Sequence, residues 1–338
     1  MYALGRLDQP PGPAILANPD IDGVALHFTW GLIEPVEGRY DWSRPDEAFA
    51  GAARAGKKVS LGVVPGVFAP AWVYAAGAAS VRFRWDKPWG FPACSQVALP
   101  VPWDGVYAAK WLAFVAALGR RYGGNPALAM VKIQGVNAQT GELLLPHAEP
   151  SARGQQLVDC PPGDDVSAWL DAGYRPAKVL AAWRGFALAY AQVFPHQKLV
   201  LDTGPWGLPG IDDSGRPTRQ RGGDRALPSA IVAAGAAALG DAFVVANNGL
   251  SAKWDWPRPS GLSTSVQMGY ETASPATGDA GCRMNHFQRP CDPRTELAEA
   301  VQRAVAARVS FLGIYVADIR NPALADVIAD AHRRLATP

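Results

Sequence analysis

The chain is short of charge, histidine and cysteine, and each shortage excludes something. Asp, Glu, Lys and Arg make up 18% of 338 residues, and 32 basic against 30 acidic residues leave a formal net charge of +2. No run of Lys and Arg forms the basic patch with which nucleic-acid binders hold phosphates, so no nucleic acid is expected as a partner. No stretch approaches the roughly 20 apolar residues that span a bilayer, so no membrane partner is expected either. Five His are few for the strand-end clusters of a metal-dependent barrel, and His196 and His332 fall at helix ends. Neither a metal nor an organic cofactor is expected. The four Cys contain no CxxC pair, which argues against a zinc knuckle. The first strand-to-helix turn, WGLIEPVEGRYDW, is not the Gly-rich fingerprint of a dinucleotide-binding doubly wound sheet, the runner-up fold.

The even Cys count, with Cys94, Cys160, Cys282 and Cys291 all in loops, favours two disulfides, Cys94–Cys160 and Cys282–Cys291, and an oxidising compartment. A secreted or periplasmic location is expected, although MYALGRLDQPPGP shows no apolar signal core.

Against these shortages stand 12 Trp and a 49% apolar content. The apolar content suffices for a sizeable core. Trp faces stack on the apolar faces of sugar rings, but most Trp in any chain are packing. Those near strand ends or in Pro/Gly-rich loops, Trp30, Trp72, Trp206 and Trp254, are the better candidates for sugar platforms, with Trp89 beside them.

Apolar strand-like runs alternate with amphipathic helical ones. GVALHFTW, from Gly23, reads as strand one, KVSLGVV as two, SVRFRW as three and AMVKIQGV as four. KLVLDTG, AFVVANNG, STSVQMGYET and SFLGIYVAD read as strands five to eight. The helical stretch from Val166 to Pro195 carries an interruption at Pro176. Eight strands alternating with helices in one domain over 1–338 predict a (β/α)8 barrel with elaborated strand-to-helix loops.

In such a barrel the site lies at the C-terminal strand ends. The residues there are His27, Trp30 and Glu34 after strand one, and Trp85, Asp86 and Trp89 after strand three. Asn137, Gln139 and Glu142 follow strand four, and Asp202 and Trp206 follow five. Asn247 and Asn248 end strand six, Gln267, Tyr270 and Glu271 strand seven, and Tyr315 and Asp318 strand eight. Amides and carboxylates bind hydroxyls and aromatic faces bind CH faces, so this ring suits a carbohydrate. Several have a plainer role open to them: His27 as a core histidine, Glu34 as a loop anchor, Asp202 and Asp318 as caps. Adjacent asparagines are disfavoured in a strand, so one of Asn247 and Asn248 is expected to hydrogen-bond the sugar or the nucleophile.

The segment W-x-x-x-E-P-x-E-G-x-Y-D-W (Trp30, Glu34, Pro35, Glu37, Gly38, Tyr40, Asp41, Trp42), followed by a helix with Asp46, resembles the first strand and helix of clan A glycoside hydrolases. VPGVFAPAW, ending in Trp72, is similar to their second unit. The resemblance implies a (β/α)8 barrel and a retaining mechanism, with the acid/base Glu after strand four and the nucleophile Glu after strand seven. The matching residues are Glu142 and Glu271. One feature departs from the clan, which commonly places an Asn directly before the acid/base. Here Gly141 precedes Glu142 and the nearest Asn is Asn137, which leaves Glu149 as a substitute acid.

Two carboxylates so placed suit double displacement at a β-glycosidic bond, with attack by Glu271 and proton transfer by Glu142. Transglycosylation by the same pair, a carbohydrate-binding barrel without hydrolysis and a metal-dependent barrel are the alternatives. The working unit is expected to be a monomer.

Overall fold

The barrel begins at the second residue. In the computed structural model, which describes residues 1–87, 90–147, 160–161, 163–204, 207–218, 223–253, 263–277 and 292–336, Tyr2–Leu4 forms strand β1. It pairs in parallel with β2 (Gly23–Thr29) on one side and β10 (Phe311–Tyr315) on the other, and so closes the sheet. Three residues carry no readable periodicity, so the first strand had to be found by its partners.

A second correction offsets the first. SVRFRW does not enter the barrel. Ser80–Arg84, β4, pairs antiparallel with β5 (Gln96–Pro100) as a hairpin outside it. Its alternation of Arg82 and Arg84 with buried Val81 and Phe83 is that of a half-exposed strand. The central parallel strands are apolar nearly throughout. The remaining strands are β3 (Lys58–Val64), β6 (Leu128–Lys132), β7 (Lys198–Thr203), β8 (Phe243–Leu250) and β9 (Gln267–Thr272). The closed barrel runs β1-β2-β3-β6-β7-β8-β9-β10. One strand gained and one lost leave β6 and β9 as barrel strands four and seven, the places expected for the two carboxylates.

The main helices α1 to α7 span Ser43–Arg54, Gly105–Tyr122, Asp165–Asp171, Pro176–Val193, Ala226–Leu239, Pro293–Ala306 and Ala325–Ala336. Asp104 caps α2 by accepting from the Tyr107 amide at 2.9 Å, the usual service of Asp at that position. Pro176 interrupts the helical stretch as expected. It occupies the first turn of α4, where a missing N–H costs nothing. Among the described residues no helix is long and apolar enough to cross a membrane.

Strand alternation sorts side chains into two cores. Met130, Val200, Val244, Ala246 and Phe311 fill the barrel interior, with Tyr2 edge-on to Phe311 at 6.1 Å. A larger cluster lies between strands and helices. Two positions above Met130 and Val200 on the same inward face come Lys132 and Asp202. Two above Ala246 comes Asn248. The apolar plug therefore carries a polar layer directly on top of it.

Candidate active site

That polar layer is ionic. Lys132, the last residue of β6, is 1% exposed, and its Nζ lies 2.6 Å from Asp202 Oδ2 and 2.6 Å from Glu271 Oε1. Asp202 on β7 is fully buried and Glu271 on β9 is 6% exposed. β6 and β9 are not neighbours, so the lysine side chain crosses the barrel to reach Glu271. Two glycines make room. A Cβ on Gly62 of β3 would come within 2.9 Å of His27 Cδ2 and 3.3 Å of Lys132 Cδ. One on Gly313 of β10 would meet Glu271 Cγ at 2.9 Å. One cation cannot balance two buried carboxylates. Burial pushes the Asp202 carboxyl up to about 7 against the opposing pull of Lys132, with Glu271 and Glu142 adding to the rise. Burial, in turn, would release the Lys132 proton, but the two carboxylates outweigh it and raise its pKa.

Glu142 joins this layer from the loop after β6. It is half-buried. Thr140 Oγ1 donates to its Oε2, and Asn248 Nδ2 donates to its Oε1 at 3.4 Å. Burial raises its pKa above the usual carboxylate range. The negative charge of Glu271 adds to this, against the pull of the Thr140 hydroxyl, Lys132 and Asn248. Tyr315, half-buried at the end of β10, has its phenol pKa raised by burial and then by both Glu142 and Glu271. Four strands thus bring Glu142, Glu271, Asn248 and Tyr315 within one another's electrostatic reach. His27 on β2 stands beside Lys132, opposite Gly62 in the register. Burial and the lysine charge hold its imidazole neutral, well below its ordinary pKa. Its Nε2 has no hydrogen-bond partner among the described residues.

Other expected site residues go elsewhere. Trp30 is 0% exposed, boxed by Trp72, Tyr107, Trp111 and Phe114, so it cannot offer a face to a sugar. Glu34 accepts from Trp30 Nε1 and the Gly38 amide, both at 2.8 Å. It is a loop anchor. Trp72 is half-buried against Trp30, and its Nε1 donates to the Glu34 carbonyl at 3.0 Å. Asn137 builds the loop that carries Glu142: it accepts from the Gly135 amide at 3.0 Å and donates to the Thr140 carbonyl at 2.8 Å. Gln139 is half-buried in that loop. Asn247 accepts from the Gly249 amide at 2.8 Å and is buried on the opposite side of the strand from Asn248. Tyr270 alternates with Glu271 and points away from it into the helix-facing core. Asp318 ties down the loop after β9 through the Ala276 and Thr277 amides. Trp89, Glu149, Trp206, Trp254, Cys282 and Cys291 lie outside the described residues.

Of the adjacent asparagines it is Asn248 that meets a carboxylate, and that carboxylate is Glu142 instead of Glu271. Lys132 was missed by sequence reasoning. Its signal was a lone lysine inside the apolar run AMVKI, a charge that a buried strand tolerates only when paired.

The disulfide Cys94–Cys160, Cα atoms 5.4 Å apart, ties the β4–β5 hairpin to the segment that follows the Glu142 loop. Arg84 Nη1 reinforces it by donating to the Pro161 carbonyl at 2.7 Å. Among the described residues no group of three His, Cys, Asp or Glu is placed to hold a metal ion.

On this barrel, residues 15–140 match the glycoside hydrolase 42 family, described as beta-galactosidase. This part of the chain is therefore similar to a glycoside hydrolase family. The matched segment runs through β2, β3 and β6 and ends two residues before Glu142. The architecture is shared with solved structures at low identity. The catalytic domain of beta-amylase from Paenibacillus polymyxa superposes with a TM-score of 0.56 at 13% identity, covering 93% of this chain and 92% of that one. Beta-galactosidase from the psychrophilic Marinomonas ef1 gives 0.56 at 12% identity, over 98% of this chain and 58% of the other. The endo-beta-1,4-glucanase of Xanthomonas axonopodis pv. citri gives 0.51 at 10%, over 98% and 94%. The chain therefore spans 58% of the length of that beta-galactosidase. No curated protein matches it in sequence.

Proposed function

We propose that the protein cleaves β-glycosidic bonds of an oligo- or polysaccharide with retention, Glu271 acting as nucleophile and Glu142 as acid/base. The observation that carries this reading is the contrast between the two carboxylates. Glu271 faces the buried Lys132 ammonium at 2.6 Å, whereas burial and the Glu271 charge hold Glu142 above its ordinary pKa. Two neighbouring carboxyls in unlike environments are what acid and nucleophile need. In the first step the Glu271 carboxylate bonds to the anomeric carbon. The bond from that carbon to the leaving oxygen breaks with its electron pair on oxygen, and the oxygen takes the Glu142 proton. In the second, Glu142 accepts a proton from water as the water attacks the same carbon and frees Glu271.

His27, Asn248 and Tyr315 are the hydroxyl-binding groups of this reading, and Gln139, Trp72, Trp89, Trp206 and Trp254 are candidates for the cleft walls. The whole chain, 1–338, acts as one catalytic domain and as a monomer, exported to the periplasm or beyond, where Cys94–Cys160 persists.

β-Galactosides are the first substrates to test, given the family matched over 15–140. Glu271→Ala should abolish turnover of 2,4-dinitrophenyl β-glycosides. Glu142→Ala should keep activity on these good leaving groups, lose it on unactivated substrates, and yield a β-azide when azide is added. Proton NMR should show the β-anomer as first product. An α-anomer first, or wild-type rates in both variants, sinks the reading. An added acceptor sugar that takes most of the product in place of water would make the activity a transglycosylation.

A further inference from the structure

A fully buried lysine is costly unless its partners repay its desolvation, and truncating one member of such a group leaves an uncompensated charge. Lys132 reaches across the barrel interior to a carboxylate two strands beyond its nearest neighbour, and Gly62 keeps its path clear. Asp202 and Glu271 both hold the ammonium, each at 2.6 Å. Asp202 is fully buried and so cannot touch a substrate. We propose that Lys132, anchored by Asp202, is the positioning residue of Glu271. It fixes that carboxylate for attack and remains charge-balanced by Asp202 when Glu271 loses its charge in the glycosyl ester.

This rests on the reading of Glu271 as nucleophile. On ester formation the negative charge of Glu271 ends in the new C–O bond, the leaving oxygen gains the pair of the broken bond, and the proton of Glu142 neutralises it. Lys132 then has Asp202 as its anionic partner, since the loss of the Glu271 charge removes one cause of that carboxyl's raised pKa. A lysine paired with Glu271 alone would be left as a bare buried cation at that moment. The other groups facing Lys132 and Glu271 cannot take over. His27 on β2 is held neutral, Tyr315 on β10 has its phenol pKa raised, and Glu142 is occupied with the leaving group and the water.

The test compares wild type, Lys132→Met, Asp202→Asn, Gly62→Ala and the exposed-site control Lys110→Met, with 2,4-dinitrophenyl β-D-galactoside as probe. Misplacing a reacting group by about 1 Å costs roughly 100-fold in rate. Lys132→Met should therefore lose about that much in kcat with KM little changed. The acidic limb of its kcat/KM profile should move to higher pH, because the anion has lost its neighbouring cation. Gly62→Ala, whose Cβ would press on His27 Cδ2 and on Lys132 Cδ without removing the charge, should lower kcat with a smaller shift of that limb. Lys110→Met should match wild type. Thermal unfolding supplies a readout that needs no turnover. Lys132→Met should melt lower than wild type at pH 8 and recover at pH 4 to 5, where protonation neutralises the orphaned carboxyls. A wild type inert to the probe would count against the glycosidase reading, and the acid recovery would then decide the ionic one. Lys132→Met with wild-type kcat and pH profile, or with no acid recovery of its melting temperature, overturns the proposal.

Discussion

Asn248 Nδ2 lies 3.4 Å from Glu142 Oε1, a link between barrel strand six and a loop that leaves strand four. The loop is also held from within, by Asn137 to the Gly135 amide and the Thr140 carbonyl and by Gln134 to the Gly141 carbonyl at 2.8 Å, and from outside, by the Val67 amide on the Ala138 carbonyl at 2.8 Å and the Leu143 amide on the Asp202 carbonyl at 2.9 Å. Asn248 adds a side-chain contact to the Glu142 carboxyl itself. Gly141, which has no side chain to offer, directly precedes Glu142. An amide from another strand contacts that carboxyl.

On the proposed mechanism, Asn248→Ala should therefore change Glu142, the acid/base, and spare Glu271, the nucleophile. Loss of a donor to the carboxylate disfavours its ionised form, so the Glu142 pKa rises. The alkaline limb of kcat/KM should move to higher pH, with kcat lower by roughly 10- to 100-fold on substrates that need protonation. An unmoved alkaline limb in a folded variant would separate Asn248 from Glu142.

Asp202 gives the stability a sign. Its carboxyl is raised from 3.8 to about 7, so between those values the folded state holds a proton that the unfolded chain has released. The contribution of Asp202 is full below about pH 4 and is lost as pH rises toward 7. Asp22, Asp212, Asp292 and Asp326, whose pKa values are lowered, act in the opposite sense at acid pH. The difference between wild type and Asp202→Asn isolates the effect. The wild-type advantage in melting temperature should be largest near pH 4 and shrink by neutrality. A constant offset would mean that folded Asp202 takes up no proton in that window.

The two kinds of Trp should separate cleanly. Trp30→Ala should cost about 3–5 kcal/mol of stability, as for a large core side chain, with little change in kcat/KM per folded molecule. Trp254→Ala or Trp206→Ala, if those residues are sugar platforms, should raise KM or lower kcat at an unchanged melting temperature. Unfolding curves and kinetics on the same preparations distinguish the outcomes.

Reduction of Cys94–Cys160 should lower stability by roughly 2–4 kcal/mol, read as a drop in melting temperature under dithiothreitol that Cys94→Ser/Cys160→Ser reproduces without it. Mass spectrometry of the non-reduced chain with and without alkylation should find no free thiol, which extends the test to Cys282 and Cys291. Two alkylated thiols would assign the single disulfide to Cys94–Cys160 and leave the second pair open.

Barrel strands two to eight were legible because buried parallel strands leave apolar runs, and the two carboxylates were legible because each follows such a run. Those are local patterns, fixed by burial on both faces of a strand. Three features were decided by contacts between distant segments. Tyr2–Leu4 is a strand only because β2 and β10 leave a gap of one strand's width between them. SVRFRW is a hairpin because its arginines cannot face a barrel core. Trp30, Glu34, Asn137 and Tyr270 read as site residues from their strand ends, yet alternation and packing turned them toward helices or their own loops. Lys132 was visible as a charge in the wrong place, but its meaning depended on Asp202 and Glu271, 70 and 139 positions further along the chain. A sequence names its buried charges one at a time. Low-dielectric pairing that makes them tolerable is a property of three strands at once.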